Sequence, residues 1–336
     1  MEHTRRQFVK RGALATTIGA SGLAGCSGSS GDSNDTTADA SGEGTATSGS
    51  SSASGVDVKI GSKRFSTQEL YSHLSMKALQ EKTEANVVDE TGLGGTSQIW
   101  RAIQNDSIDH YYTYTLNIWQ TFSGHDTVIS DPQEIYDKCV DVVDEEYKNL
   151  QLLQPSEARA DWTVVVRPDW AKENDIASIS DFAEYVKSGN TDFTFVSYAE
   201  FAERSDGIPS LLETYDIPED KWNEVNLKKV GYGPLNYQIL NSEQAVATSG
   251  WLTQPQIYKY GFDVLEDDKG FTSANLVTPV VRKEILEGND VIEETINEVS
   301  ATLTTEEVRA MVLRISNTDA SVAEVAEGHL KKNDII

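Results

Sequence analysis

Cysteine and basic residues are scarce in this chain of 336 residues. Its two cysteines, Cys26 and Cys139, allow at most one disulfide, which excludes a small disulfide-stabilised scaffold. The chain has 28 basic against 54 acidic residues and a formal net charge of −26. Nucleic-acid binding needs a basic surface, so we expect no nucleic-acid partner. The acidic residues are spread along the chain, a distribution typical of surfaces adapted to concentrated salt.

The N-terminal region has no apolar run long enough to span a bilayer, which takes about 20 apolar residues. Its short apolar stretch, residues 12–25, follows TRRQFVK at 4–10, which resembles a twin-arginine export signal. LAGC at 23–26 resembles a lipobox, in which cleavage before Cys26 frees that residue for lipid attachment. We therefore predict a lipoprotein signal peptide over 1–25 and a lipid anchor on the extracytoplasmic face of the cell membrane. The alternative is a basic N-terminus with a chance cysteine.

The next segment has too few apolar residues to fold. Residues 27–55 consist almost wholly of Ser, Gly, Thr, Ala and Asp, a composition that cannot bury enough apolar surface to offset the entropy of ordering. We expect the lipidated cysteine and a disordered linker to occupy residues 26–55.

Motifs of common enzyme classes are missing. The sequence has no G-x-S-x-G elbow, no H-E-x-x-H pair and no G-K-[ST] phosphate loop. Its five histidines show no ligand spacing, and His110 by itself is predicted to be structural instead of metal-binding. Cys139 lies in an apolar helical stretch and is predicted to be a small buried residue. We predict a protein that is not an enzyme, with no metal site and no cofactor.

Short apolar runs alternate with helical patterns after residue 55. Strands are predicted at 56–60, 86–89, 108–114, 150–153, 162–167, 193–197, 227–230, 245–248 and 277–282. Helices are predicted at 67–82, 97–104, 132–147, 179–187, 208–215 and 234–240, and through most of 291–326. This alternation predicts an α/β fold with mainly parallel sheets. A chain of this length is most simply divided into two lobes, with a ligand cleft near the carboxyl ends of the strands.

Aromatic residues are concentrated beside the predicted strand ends. They are Tyr111, Tyr112, Tyr114, Trp119, Trp162 and Trp251. Any one of them could simply be a core residue. Around a cleft, however, their electron-rich faces would attract a quaternary ammonium, which forms no hydrogen bonds.

Six landmarks in order resemble the glycine betaine, choline and proline-betaine binding proteins of ABC importers. They are GSKRF at 61–65, LGGT at 93–96, IDHYYTYT at 108–115, FAERSDGIP at 201–209, YQIL at 237–240, and LEDDK at 265–269 with PVVR at 279–282. The acidic composition and the lipobox are those expected of a haloarchaeal lipoprotein of this kind. The resemblance implies a two-lobed α/β fold of the periplasmic-binding-protein type (type II) with a central ligand cleft. Lobe I would comprise residues 56–159 plus 267–336, and lobe II residues 160–266.

The resemblance also implies a set of ligand-binding residues. The positions that match the family's aromatic cage are Tyr114, Trp162, Trp251 and Asn275. The positions that match its carboxylate contacts are Lys63, Asn117 and Arg204, although Lys63 and Arg204 could also be ordinary surface cations.

Asn275 departs from the family pattern, because relatives usually have tyrosine at this position. The cage would then be open on one side, unless Phe271 or Tyr232 replaces the missing ring.

The resemblance implies a monomeric binding protein that delivers glycine betaine or a similar compatible solute to a membrane permease with a cytoplasmic ATPase, for osmoprotection. Three alternatives remain open at this point. The ligand could be choline or another betaine, and the partner could be a chemotaxis transducer instead of a permease. An extracytoplasmic hydrolase that uses paired Asp or Glu residues is the third alternative.

Overall fold

The computed structural model describes residues 53–231 and 233–336, which belong to one compact unit. The predicted signal peptide, Cys26 and all but the end of the predicted linker lie outside these residues, and so does Tyr232. In this part of the chain, none of the helices has the length and apolarity needed to cross a bilayer.

Two five-stranded sheets form the centre of the described residues. The strands are β1 (Asp57–Gly61), β2 (Asn86–Glu90), β3 (His110–Tyr114), β4 (Leu150–Leu152), β5 (Trp162–Val166), β6 (Thr194–Tyr198), β7 (Asn226–Val230), β8 (Ala247–Trp251), β9 (Asp263–Val264) and β10 (Val277–Arg282). The strand order is β2-β1-β3-β10-β4 in the first sheet and β7-β6-β8-β5-β9 in the second.

Helices surround both sheets. In the first half of the chain they are α1 (Ser66–Lys82), α2 (Thr96–Gln104), a π-helix (Asn117–Phe122) and α3 (Pro132–Glu146). Around the second sheet they are α4 (Pro168–Glu173), α5 (Ile179–Lys187), α6 (Ala199–Glu203), α7 (Ile208–Thr214), α8 (Glu219–Trp222), α9 (Leu235–Asn241) and α10 (Pro255–Tyr260). The chain ends with α11 (Lys283–Leu286), α12 (Asp290–Ala301), α13 (Thr305–Asn317) and α14 (Val322–Lys332).

The prediction of mainly parallel sheets is wrong, because each sheet is half parallel and half antiparallel. Strands β2, β1 and β3 are parallel, whereas β10 runs antiparallel to β3 and β4. In the second sheet β7, β6 and β8 are parallel, and β5 is antiparallel to β8 and β9. The reason is connectivity. Strands β5 and β10 each arrive from the other sheet, so they begin at the edge where the parallel strands end.

Apolar faces of the helices cover each sheet. Helix α1 buries Leu70, Leu74 and Ala78 in a cluster shared with Val325 and Leu330 of α14, so the C-terminal helices pack onto the first sheet. A separate cluster of buried residues fills the space between the second sheet and its helices. The region predicted as helical at 291–326 consists of three helices that extend to Lys332.

His110 and Cys139 are both buried, as predicted for Cys139. Both ring nitrogens of His110 contact protein groups: Nδ1 lies 3.1 Å from the Val280 carbonyl and Nε2 lies 3.0 Å from Ser75 Oγ. The Cys139 thiol donates to the Thr115 carbonyl at 3.4 Å, and burial raises the pKa of that thiol to about 12. These contacts support the interpretation of both residues as structural.

Candidate functional site

A cavity of about 900 Å³ lies between the strand ends of the two sheets. All seven residues matched by resemblance line it: Lys63, Tyr114, Asn117, Trp162, Arg204, Trp251 and Asn275. They belong to segments far apart in the chain, so the fold brings them together. Their roles in binding remain predictions, whereas their shared cavity is observed.

The first-sheet side of the cavity combines a cation with an aromatic ring. Strands β1 and β3 are parallel neighbours, so their carboxyl ends meet at one edge of the sheet. Tyr114 is the last residue of β3, and Lys63 follows the end of β1 by two residues. The Lys63 ammonium lies 4.9 Å from the centroid of the Tyr114 ring. A ligand that contacts Tyr114 therefore also lies close to the ammonium.

Lys63 is an unusual lysine because it is buried, with 4% of its surface exposed. Burial lowers the pKa of Lys63 to about 7, since the charged ammonium loses its water. No carboxylate of the described residues lies within 4.0 Å to offset this loss. A buried ammonium without a counter-ion favours an incoming anion, such as a ligand carboxylate.

Asn117 is the first residue of the π-helix that follows β3. Such helices are rare and are often found at functional sites. The Nδ2 atom of Asn117 is buried and has no hydrogen-bond partner among the described residues. An unpartnered buried donor costs free energy unless a ligand or water accepts its hydrogen bond. Asn117 and Lys63 thus offer two donors on the same side of the cavity.

Two tryptophans form the second-sheet side of the cavity. Trp162 begins β5 and Trp251 ends β8, and the antiparallel register of these strands makes them direct partners. Their ring centroids are 4.4 Å apart. The ring centroid of Phe201 lies 4.7 Å from that of Trp162, and the Tyr198 ring stacks on Trp251 with centroids 5.2 Å apart. These two rings pack against the tryptophan pair. The result is a rigid aromatic wall.

Arg204 lies beside this wall, with its guanidinium carbon 5.7 Å from the centroid of the Trp162 ring. Its side chain already has protein partners. Nε and Nη2 both donate to Asp206, the latter at 2.8 Å, and Nη1 donates to Glu200 at 3.3 Å. A bidentate contact between Arg204 and a ligand carboxylate would have to use donors that already bond to Asp206 and Glu200. Lys63 and Asn117 are therefore better placed to bind a carboxylate.

The sequence of residues 56–332 matches the OpuAC family, described as the substrate-binding domain of ABC-type glycine betaine transport systems. The chain belongs to this family. An OpuAC domain thus accounts for both sheets and the cavity between them.

Two relatives and one solved structure illustrate this membership. The glycine betaine-binding protein YehZ of Escherichia coli is 27% identical over 280 residues, which is 82% of this chain and 90% of YehZ. CosB of Halobacterium salinarum, the substrate-binding protein of a chemotactic signal transduction system, is 27% identical over 293 residues, covering 83% of this chain and 84% of CosB.

A solved structure of apo YehZ from Escherichia coli superposes with a TM-score of 0.72 at 25% identity, covering 83% of this chain and 99% of that structure. The predicted two-lobed α/β fold of the periplasmic-binding-protein type is therefore confirmed. The predicted lobe boundaries, after residues 159 and 266, stay predictions.

Asn275 does not contribute a ring to this OpuAC cavity, and its side chain instead joins two segments. Nδ2 donates to the Ala160 carbonyl at 3.1 Å, and Oδ1 accepts from the Leu116 amide at 3.2 Å. Phe271 does not replace the missing ring, because it is fully buried against Phe201 in the hydrophobic cluster around the second sheet. The other suggested replacement, Tyr232, lies outside the described residues.

Phe65, Gln120 and Glu200 also line the cavity but were not identified as site residues from the sequence. Phe65 is 47% exposed and supplies a fourth aromatic ring beside Tyr114, Trp162 and Trp251. Its place in the GSKRF landmark, two positions after Lys63, was a signal that could have found it. Glu200 is the one carboxylate among the described lining residues, whereas a hydrolase of the kind considered above needs a pair.

Proposed function

We propose that this protein is an extracytoplasmic solute-binding protein that captures glycine betaine, or a similar quaternary ammonium solute, for an ABC importer. The observation that carries the proposal is one cavity with aromatic rings from both lobes and a buried lysine with no carboxylate of the described residues within 4.0 Å. Aromatic faces suit a methylated cation, and the lysine suits its carboxylate. Membership of the OpuAC family supports the same ligand class.

In the proposed complex the trimethylammonium group lies among Tyr114, Trp162 and Trp251, with Phe65 at the exposed side. The carboxylate accepts hydrogen bonds from Lys63 and Asn117, and Arg204 adds positive charge nearby. Each desolvated contact between the cation and a ring would contribute about 1–2 kcal/mol. The trimethylammonium group donates no hydrogen bonds, so the aromatic rings can surround it without leaving a donor unpaired. The ammonium group of glycine donates three hydrogen bonds that these rings would leave unpaired, so glycine should bind much more weakly.

Capture would proceed by closure of the two lobes. Ligand contacts come from residues on both sheets, so the closed form makes all of them and ligand binding shifts the population toward closure. In this proposal the protein is a monomer that breaks no bond, and the closed form delivers its ligand to a permease driven by a cytoplasmic ATPase. Import of such a solute would serve osmotic balance.

The location is also a proposal. The twin-arginine signal and lipobox predicted at residues 4–10 and 23–26 would place the protein on the outer face of the membrane, anchored through lipid on Cys26. The acidic composition suits a halophilic organism.

Calorimetric titration of the purified protein in high salt tests the ligand class. We expect heat of binding with glycine betaine, proline betaine, carnitine or choline, and none with glycine. Tyr114→Ala should weaken binding about 5- to 30-fold, the equivalent of one lost cation–ring contact.

Tyr258→Ala is the matched control, because Tyr258 is 59% exposed on α10 and is not among the residues that line the cavity. It should bind as the unmodified protein does. Absence of binding to all four quaternary ammonium solutes, in a protein that unfolds cooperatively on heating, would contradict the proposal.

A second candidate function keeps the ligand class but changes the partner. The similarity to CosB, at 27% identity over 83% of this chain, favours presentation of the bound solute to a chemotaxis transducer. Deletion of the gene separates the two functions. Loss of solute uptake with normal attraction to the solute indicates the importer, whereas loss of attraction with normal uptake indicates the transducer.

A further inference from the structure

Gln120 connects the two sides of the cavity. It lies in the π-helix after β3, whereas its partners follow α6 beside the second sheet. Its Nε2 donates to Asp206 Oδ2 at 3.3 Å, and its Oε1 accepts from Arg204 Nη2 at 3.3 Å. One side chain of the first lobe thus bonds to both members of an ion pair in the second lobe.

The Gln120 amide can bond to both Arg204 and Asp206 in only one orientation. The guanidinium of Arg204 has only donors, the carboxylate of Asp206 has only acceptors, and a glutamine amide has both. Exchanging the amide oxygen and nitrogen of Gln120 would oppose donor to donor and acceptor to acceptor. Asp206 is 5% exposed, so water competes little for these charge-assisted hydrogen bonds.

Local structure holds the ion pair in place for this contact. Arg204 and Asp206 share a tight loop, in which the Gly207 amide donates to the Arg204 carbonyl at 3.1 Å. The π-helix places Asn117 and Gln120 on the same cavity wall, three residues apart. Gln120 therefore joins the side of the site that carries Asn117, whose Nδ2 atom has no partner among the described residues, to the side that carries Trp162 and Arg204.

We infer that Gln120 is a positioning residue that couples closure of the cleft to retention of the ligand. By bridging Arg204 and Asp206 it slows the separation of the lobes, and it holds the guanidinium beside the Trp162 ring. Retention of a ligand rests on the function proposed above, whereas the bridge itself can be measured without any ligand.

Hydrogen–deuterium exchange on the ligand-free full chain tests the bridge. We expect Gln120→Ala to accelerate amide exchange both in the π-helix and in the 204–208 segment of the other lobe. Gln133→Ala is the matched control, because Gln133 makes a similar bond to Asp137, at 2.7 Å, within the exposed surface of α3. It should leave both segments unchanged.

A role confined to the π-helix would accelerate exchange there and not at 204–208, and that result would overturn the inference. So would equal effects of Gln120→Ala and Gln133→Ala. If Gln120→Ala fails to fold, Gln120→Glu decides instead. This variant has the same length but sets a second carboxylate against Asp206, so it should accelerate exchange in both segments as well.

Stopped-flow tryptophan fluorescence with glycine betaine then tests ligand retention. We expect Gln120→Ala to release the ligand about tenfold faster with little change in the association rate, since the lost bonds oppose separation of the lobes. An unchanged dissociation rate would overturn the coupling to retention. If the unmodified protein binds no quaternary ammonium solute, the proposed function fails, while the exchange experiment still decides the bridge.

Discussion

Lys63 has the most unusual environment of the residues that line the cavity. It is buried beside the Tyr114 ring, and burial lowers its pKa to about 7. Its neutral and charged forms are therefore comparably populated near neutral pH. Because a nearby anion stabilises the charged form and a nearby cation destabilises it, the ligand shifts this equilibrium. If Lys63 contacts the ligand as proposed, a zwitterion and a simple cation are expected to shift its pKa in opposite directions.

The affinities for glycine betaine and choline are expected to change in opposite directions with pH. The glycine betaine carboxylate raises the pKa of Lys63 in the complex, so its binding is strongest below about pH 7 and weakens as pH rises above that value. Choline has no carboxylate, and its cation repels the ammonium. Its binding should strengthen as pH rises through 7. Calorimetry between pH 6 and 9 measures both, and buffers of different ionisation enthalpy report the proton taken up with glycine betaine.

Lys63→Met provides the control, because it keeps the apolar length of the side chain and removes the titrating group. Both pH dependences should disappear in this variant. Parallel pH profiles for the two ligands in the unmodified protein would contradict a carboxylate contact at Lys63.

At the scale of elements, short segments that follow strand ends supply several of the polar residues at the cavity. The π-helix presents Asn117 and Gln120, and the loop between α6 and α7 presents Arg204 and Asp206. This loop depends on Gly207, where an added Cβ would lie 2.0 Å from the Phe201 carbonyl oxygen. Because this oxygen belongs to the backbone and not to a flexible side chain, only glycine fits at position 207 without a shift of the loop.

Gly207→Ala is expected to lower the free energy of unfolding by about 1–3 kcal/mol, because the loop must open to relieve the collision. The displaced Arg204 and Asp206 would also weaken ligand binding. Thermal unfolding and calorimetric titration measure the two effects. Gly231→Ala is the control, since a Cβ at Gly231 has no neighbour within 4 Å, and it should change neither. Unaltered stability in Gly207→Ala would contradict this description of the loop.

At the scale of the whole molecule, the charge is strongly unbalanced. The chain carries 54 acidic and 28 basic residues, so like charges repel each other over most of the surface. Folding brings these charges closer together than they are in the unfolded chain, and dissolved salt screens their repulsion. Stability should therefore depend on ionic strength.

The melting temperature is expected to rise with sodium chloride between 0.1 and 3 M, because the Debye length falls from about 10 Å at 0.1 M to about 3 Å at 1 M. Circular dichroism during heating measures it. Sucrose at matched water activity is the control, since it stabilises without screening charge, and it should produce a smaller rise at the low end of the range. A melting temperature that is flat or falls with salt would be the opposite result.

The residue types and their order in the chain were enough to predict much of this protein. Alternating apolar and helical patterns predicted most strands and the longer helices, because periodicity reflects which side chains face the core. Short elements were missed, including α4, α6, α8, α10 and the π-helix, since a few residues carry too little pattern. The seven residues matched by resemblance all line one cavity.

Tertiary structure decided what depends on contacts between distant segments. The mixed sheets follow from the return of β5 and β10 across the cleft, and the strand pattern is the same for either direction. The hydrogen bond between Gln120 and Arg204 joins residues 84 positions apart, and it occupies a guanidinium that the sequence alone left free for a ligand. Periodicity records which face of an element is buried, whereas partners across a cleft depend on how two lobes pack.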